Sequence, residues 1–423
     1  MFILLAIIGI SVIVFFHELG HFIVSKICGV KVEEFGLGYP PRVFGFVLLR
    51  PDKVARNKTF FRISCRKFSK FIRNSFRFVF RRRTLREAQM FKFFLGKGVP
   101  PEAKTRTIYS LNWIPFGGFN KLKGELEETR EKDAFFVQVW WKKALVGFGG
   151  PALNIILAIL IFSTCFFIGI PTSLDQDLPQ GAFLKEEIGI QIAQVFPASP
   201  AEKAGVNIGD IIVSVDENNF KEVDEIQTYI KEKIGQTVRL RVKRKQEIKE
   251  LEVKVVPAET VFKDIKDSYG VIGIFLAKTG IVSYPGHQAI FQGIKTVFLL
   301  IGRLFYGFWL ILKTLIVKRE MIGQLVGPVG ITVMIGQMAR VGFIYFLQIT
   351  AFLSTALGAF QLIPFPALDG SRILSSFIEG ARGRPVSPKK ENIVLTIGFY
   401  LLILLLIWIT YRELIGLAEK FFK

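Results

Sequence analysis

Hydrophobic positions in this chain gather into long unbroken runs separated by polar stretches, the pattern of membrane spans. The first run extends from about Phe2 to Cys28 and is interrupted only by His17-Glu18-Leu19-Gly20-His21. At 1.5 Å per helical residue it is long enough to cross a hydrocarbon core of about 30 Å. No Lys or Arg precedes Lys26, so the run lacks the positive start of a cleaved signal peptide and reads as a retained span. Further runs lie at about Ala144–Ile170, Ala289–Val317, Val341–Ile363 and Ile393–Tyr411. Of these, Ala289–Val317 differs: Lys295, Arg303 and Lys313 fall near one helix face, which suits an amphipathic helix lying in the interface.

Between about Ile190 and Pro257 the pattern shortens. Val195, Ile211–Val215, Val238–Val242 and Leu251–Val255 are β-rich runs, and Ala204-Gly205-Val206 and Ile208-Gly209-Asp210 are turn signals. Val223–Ile234 has a helical pattern, with Asp224 as its expected cap. The predicted fold is a polytopic α-helical membrane protein of about four transmembrane helices with a membrane-associated β element and one α+β domain. The expected segments are a first span over 1–28, a β region over 29–143 with a basic stretch at 50–106, and a second span over 144–171. The α+β domain follows over 180–258, then an interfacial helix over 287–318, a third span over 341–371 and a fourth over 392–412.

Composition sharpens this picture. Half of the 423 residues are hydrophobic, 43 are Phe, and the net charge is +21. From Arg50 to Arg106 there are eighteen basic residues and three acidic ones, whereas Thr172–His287 is slightly acidic. The basic stretch interleaves aromatics with Arg and Lys. In a membrane protein it reads as a segment lying on an anionic leaflet, Phe down and Arg up, and no nucleic acid is expected as a partner. Cys28, Cys65 and Cys165 are far apart and form no disulfide framework or thiolate metal site.

The chemistry centres on the first run. H-E-x-x-H on a helix puts two imidazoles on one face, where they hold one zinc, with a Glu between them to activate water. Ionisable groups inside an apolar helix are costly and mark function, and two of the three histidines in the chain are in this motif. Zinc also needs a third protein ligand. His287 stands beside Pro285 and Gly286 at the start of the expected interfacial helix. Asp369 is the stronger candidate. It ends the stretch Leu362-Ile363-Pro364-Phe365-Pro366-Ala367-Leu368-Asp369, where two prolines break a helix at membrane depth.

These motifs resemble the site-2 protease family of intramembrane zinc metalloproteases, in its bacterial branch with one PDZ domain. The resemblance covers nearly the whole chain and includes Phe35-Gly36-Leu37-Gly38, Ile114-Pro115-Phe116-Gly117-Gly118-Phe119, Gly149-Gly150-Pro151-Ala152-Leu153-Asn154 and Val326-Gly327-Pro328-Val329-Gly330-Ile331. The PDZ likeness rests on Ser199-Pro200-Ala201-Glu202-Lys203-Ala204-Gly205 and Gly209-Asp210-Ile211-Ile212. The resemblance implies that His17, His21 and Asp369 bind zinc and that Glu18 is the general base. It also implies that Gln361, Gly117, Gly118 and Phe119 contact substrate. Gln361 stands where the family usually has Asn, and Ser371 where it often has a second Gly after Leu-Asp-Gly. The basic stretch 50–106 looks like an insertion for which the family offers no role.

The expected activity is endoproteolysis of transmembrane segments in single-span membrane proteins, either anti-sigma-factor-like substrates or signal-peptide remnants. The expected location is the bacterial inner membrane. The positive-inside rule sets the basic region and the active site toward the cytoplasm and the PDZ-like domain outside. With Ala289–Val317 in the interface, four spans bring Asp369 to the face that carries His17. The alternative function is a catalytically silent PDZ-bearing membrane scaffold, which a Glu18→Gln change would leave unaffected.

Overall fold

The computed structural model describes residues 2–48, 91–95, 106–125, 127–174, 181–244, 247–261, 269–318 and 327–421. The basic stretch predicted over 50–106 lies outside the described residues except for one short strand and Arg106. In chain order the main elements are α1 (Phe2–Ile27), β1 (Val32–Leu48), β2 (Phe91–Leu95), β3 (Ile108–Leu122), α2 (Trp140–Ile168), β4 (Ile170–Ser173) and β5 (Phe183–Val195). There follow β6 (Ile211–Val215), α3 (Val223–Lys231), β7 (Thr237–Arg244), β8 (Glu247–Lys254) and β9 (Ile274–Ser283). Five helices complete the chain: α4 (Gly286–Lys318), α5 (Pro328–Val341), α6 (Phe343–Gln361), α7 (Asp369–Arg382) and α8 (Pro388–Phe421).

Two compact units divide these elements. One contains residues 7–154 and 357–405; the other contains 1–6, 155–356 and 406–423. In the first, three strands form a sheet in the order β2-β1-β3. Both long strands bend and double back, so Glu34–Leu37 of β1 is flanked twice by β3. Gly118–Lys121 lies on one side of it and Ile108–Leu111 on the other. Ile108–Leu111 is also paired with Phe44–Val47. Gly118–Lys121 is therefore an outer edge, with no described strand on its far side. Cys28, Val30, Val32, Leu122 and Val146 form a buried cluster under this sheet.

In the same unit the helical path breaks after Gln361. Pro364 and Pro366 offer no N–H to a helix and disfavour helical geometry in the residue before each. The chain turns through Ala367, whose φ of 76° is the left-handed conformation that a residue with a Cβ rarely adopts, and α7 begins at Asp369.

In the second unit six strands form a sheet in the order β4-β9-β5-β6-β7-β8. Strict alternation along β7 turns Val238, Leu240 and Val242 into a core shared with Ile192, Val215, Ile226 and Val253. The α+β domain expected over 180–258 is thus extended in the sheet by β4 and β9, which lie outside those limits. The helix expected over Val223–Ile234 runs Val223–Lys231, and its cap stands two residues before the expected Asp224. Glu222 occupies the cap, and the Glu225 carboxylate accepts the Glu222 N–H at 3.4 Å. Three acids within four residues, at 222, 224 and 225, leave the cap ambiguous in sequence.

Among the described residues five helices are long and apolar enough to cross a membrane: Leu5–Ile27, Trp140–Ile168, Gly286–Ile311, Phe343–Gln361 and Glu391–Ile415. Four of these overlap the segments expected to span, but the third ends at Gln361, which leaves 362–371 and Asp369 outside the helix expected over 341–371. Gly286–Ile311 is the greater part of α4, the helix expected in the interface; length and composition alone do not separate the two placements.

Candidate active site

Residues four apart on α1 lie one above the other, which puts His17 and His21 on a single face. Their Nε2 atoms are 3.3 Å apart. Asp369, the first residue of α7, brings Oδ2 to 3.1 Å from His17 Nε2 and 3.2 Å from His21 Nε2. Zinc bonds of about 2.0–2.1 Å at tetrahedral angles place ligand atoms about 3.3 Å apart. The triangle of Nε2, Nε2 and Oδ2 has that size, so the three side chains fit zinc as they stand. Among the described residues they are the grouping of three His, Cys, Asp or Glu side chains able to hold a metal ion.

Partners behind the ligands orient them. His21 Nδ1 lies 2.8 Å from the Val146 carbonyl, which can only accept, so Nδ1 carries the proton and Nε2 is left bare for metal. The buried Asn154 amide meets His17 Nδ1 at 3.2 Å. A metal on His17 Nε2 requires Nδ1 to donate, and an amide serves this by presenting its oxygen. The Gln361 Oε1 accepts the Asp369 N–H at 3.3 Å, which satisfies an exposed donor in the first turn of α7. Farther along α7, Arg372 pairs with Glu125, and Lys143 donates to Glu379 at 2.9 Å. These pairs tie the Asp369 helix to the end of the β region and to the start of α2.

Glycines make the convergence possible. A Cβ on Gly20 would lie 2.1 Å from the Gly149 carbonyl oxygen, so α1 and α2 touch backbone to backbone. A Cβ on Gly150 would lie 2.4 Å from His21 Nε2 and 2.7 Å from His17 Cε1. The glycine pair on α2 is therefore the wall against which both imidazoles rest. A Cβ on Gly370 would lie 2.2 Å from the Ile363 carbonyl oxygen, because the turn before Asp369 folds back onto α7.

Glu18 follows His17 on the helix and faces the sheet edge. Gly118 admits it, since a Cβ there would lie 2.9 Å from Glu18 Cγ. The Asn120 amide donates to the Glu18 carboxylate at 2.8 Å. Gly117 has a φ of 91°, open to glycine at no cost, and a Cβ there would meet the Tyr39 ring at 2.6 Å. The Phe119 ring lies over Gly36.

The structure thus brings His17, Glu18, His21, Asp369, Gln361, Gly117, Gly118 and Phe119 into one unit. The ligands and Glu18 meet; Gln361 is turned to the Asp369 backbone. His287, the weaker candidate ligand, is at the start of α4 in the other unit. Asn120, Asn154 and the Val146 carbonyl were not predicted as site components. Asn154 had a readable signal, a polar amide inside the apolar run Ala144–Ile170. Asn120 had none, because polar residues are common in strands with one solvated face.

An H-E-x-x-H helix completed by a distant aspartate defines a class, the metallopeptidases whose site is assembled between helices. The model of peptidase family M50 matches residues 5–53 and 78–405, and the chain belongs to that family of zinc-dependent metalloproteases. A Clostridium perfringens protein designated a candidate zinc metalloprotease is 28% identical over 416 residues, covering 98% of this chain and 99% of its own. The zinc metalloprotease RasP of Oceanobacillus iheyensis is 27% identical over 443 residues, covering 96% of each chain. Among solved structures, the PDZ domain of an SdrC-like protein from Listeria monocytogenes is 28% identical, covering 21% of this chain and 86% of that one, with a TM-score of 0.19.

Proposed function

We propose that this chain is an intramembrane zinc metalloendopeptidase that cuts transmembrane segments of single-span membrane proteins, of the anti-sigma-factor or signal-peptide-remnant kind. One observation carries the reading: His17 and His21, on a helix apolar enough to lie in a bilayer that also carries Glu18, converge with Asp369 of α7, and the Glu18 carboxylate lies against an open strand edge.

His17, His21 and Asp369 would hold zinc, which when bound supplies Lewis-acid polarisation of the scissile carbonyl and an acidified water. Glu18 accepts the proton of the attacking water and returns it to the departing amide nitrogen. An unwound substrate segment adds as a strand along Gly118–Lys121, whose outward N–H and C=O groups lack a described partner strand. Gly117, Gly118 and Phe119 border that edge. Gln361 contributes by holding the Asp369 turn in addition to any contact with substrate.

In this reading the protein resides in the bacterial inner membrane, with the metal site toward the cytoplasm and the six-stranded PDZ-like domain outside, where it screens substrates. The basic stretch 50–106 then lies on the anionic cytoplasmic leaflet. The helix α4 lies in the interface, and cysteine labelling that found Arg340 on the cytoplasmic side would refute that topology.

The deciding experiment compares detergent-purified wild type and Glu18→Gln on a tagged single-span substrate, with zinc content determined for both. Zinc in both and cleavage by the wild type alone supports the proposal. Equal cleavage by both, or no zinc in either, overturns it.

A further inference from the structure

Asn120 is the residue at the site that neither the metal nor the ligands account for. Its side-chain nitrogen lies 2.8 Å from Glu18 Oε2 and 2.6 Å from the Glu18 backbone carbonyl oxygen. Both partners are acceptors only. The amide nitrogen must therefore face them, and each of its two hydrogens has its own target. The rotation state of this amide is thereby fixed by chemistry, unlike most side-chain amides. The amide oxygen points the other way and is buried without a hydrogen-bond partner. An orphaned buried acceptor is costly, so this orientation is held by the two acceptors that the nitrogen satisfies.

Asn120 is also placed to do this by the strand that carries it. Side chains two apart on a strand share a face, so Gly118 and Asn120 point the same way. Gly118 leaves room for the Glu18 side chain, and Asn120 closes on its carboxylate. Both residues belong to the outer edge that pairs inward with Phe35–Leu37. One amide thus joins the sheet edge to the backbone and the side chain of the same helical residue.

We infer that Asn120 is a positioning residue that clamps Glu18: it fixes the carboxylate with one amide hydrogen, anchors itself to the helix with the other, and couples the base to the sheet edge. This rests on the proposed role of Glu18 as general base. Asn120 acts through Glu18 and has no hydrogen bond to His17, His21 or Asp369 among those described, so its loss slows turnover without emptying the site.

The test measures kcat, KM and bound zinc for wild type, Glu18→Gln, Asn120→Ala and Asn120→Asp on the same single-span substrate. The expected result for both Asn120 variants is zinc near the wild-type level, KM within about twofold, and kcat per bound zinc reduced about 10- to 100-fold, the usual cost of removing a partner behind a site residue. Asn120→Asp, nearly identical in shape, turns an oxygen toward the carboxylate and is the more impaired of the two. Turnover per zinc within twofold of wild type in either variant overturns the inference. So does a loss of activity that falls wholly on zinc content or on KM, which would mark Asn120 as structural or as a substrate contact. If Glu18→Gln cleaves as well as wild type, the reading of Glu18 as base fails and the inference fails with it, whereas an inactive Glu18→Gln beside fully active Asn120 variants overturns the inference alone.

Discussion

Gly150→Ala adds one methyl group to α2, outside the set of metal ligands. That methyl would sit 2.4 Å from His21 Nε2, 2.7 Å from His17 Cε1 and 2.9 Å from His17 Nε2. Ordinary contact begins at about 3.4 Å, so the imidazoles must retreat by roughly 1 Å. Retreat along α1 is blocked, because Gly20 already rests on the Gly149 carbonyl. Metal sites tolerate ligand displacements of about 0.2 Å. An added methyl in a tight site costs about 1–3 kcal/mol, which converts to about 5- to 150-fold weaker zinc binding at about 1.4 kcal/mol per tenfold. The assay is zinc retained by the purified protein across chelator-buffered free zinc concentrations. Gly302→Ala serves as control, since a Cβ there meets nothing within 4 Å. If Gly150→Ala holds zinc within twofold of wild type while Gly302→Ala is unchanged, the imidazoles do not lean on α2 and the account of the glycine pair is wrong.

Other consequences can be measured separately. Gln361→Ala removes the acceptor for the Asp369 N–H and is expected to lower stability by about 0.5–2 kcal/mol, the range for loss of a helix cap, with weaker zinc binding; a raised KM with zinc unaltered would instead assign Gln361 to substrate. In the domain built on the six-stranded sheet, burial works to raise the Asp216 pKa, but the Arg239 N–H, Lys233 and the Tyr229 hydroxyl outweigh it and hold the carboxyl below its ordinary value. A folded pKa below the unfolded one gives stability that is present above the ordinary carboxylate range and lost as pH falls through the folded value. Asp216→Asn should accordingly flatten the acid side of the thermal-unfolding profile of the domain; an unchanged profile would show that these hydrogen bonds do not favour the ionised form.

The parts that were legible in the sequence are those where a residue conflicts with its surroundings. His17, Glu18 and His21 are costly in an apolar run and Asp369 stands at the end of another, so each stood out, while the need of zinc for a third ligand and the family resemblance joined them in one expected site. Pro364 and Pro366 announced the break that lets Asp369 begin a helix. Contacts between distant backbones leave no such trace. The touching of Gly20 and Gly149 joins positions more than a hundred residues apart, and glycine in a helix has several explanations. The double pairing of Glu34–Leu37 was equally hidden, because alternation predicts a strand but not how many neighbours a bent strand will have. The two strands that extend the sheet of the α+β domain were hidden for a related reason. Strands β4 and β9 join its sheet from beyond the run of β-rich segments, and only their hydrogen bonds assign them to it.

The aspartate ligand and the second imidazole stand 348 positions apart in the chain. A ribosome must therefore add 348 residues after His21 to reach Asp369, the third ligand in the proposed reading. Until then the helix bearing His17, Glu18 and His21 can enter a membrane beside other newly made chains without a complete centre to cut them. In the proposed reading, the late position of Asp369 withholds a complete metal centre until long after the helix that bears Glu18 has been made.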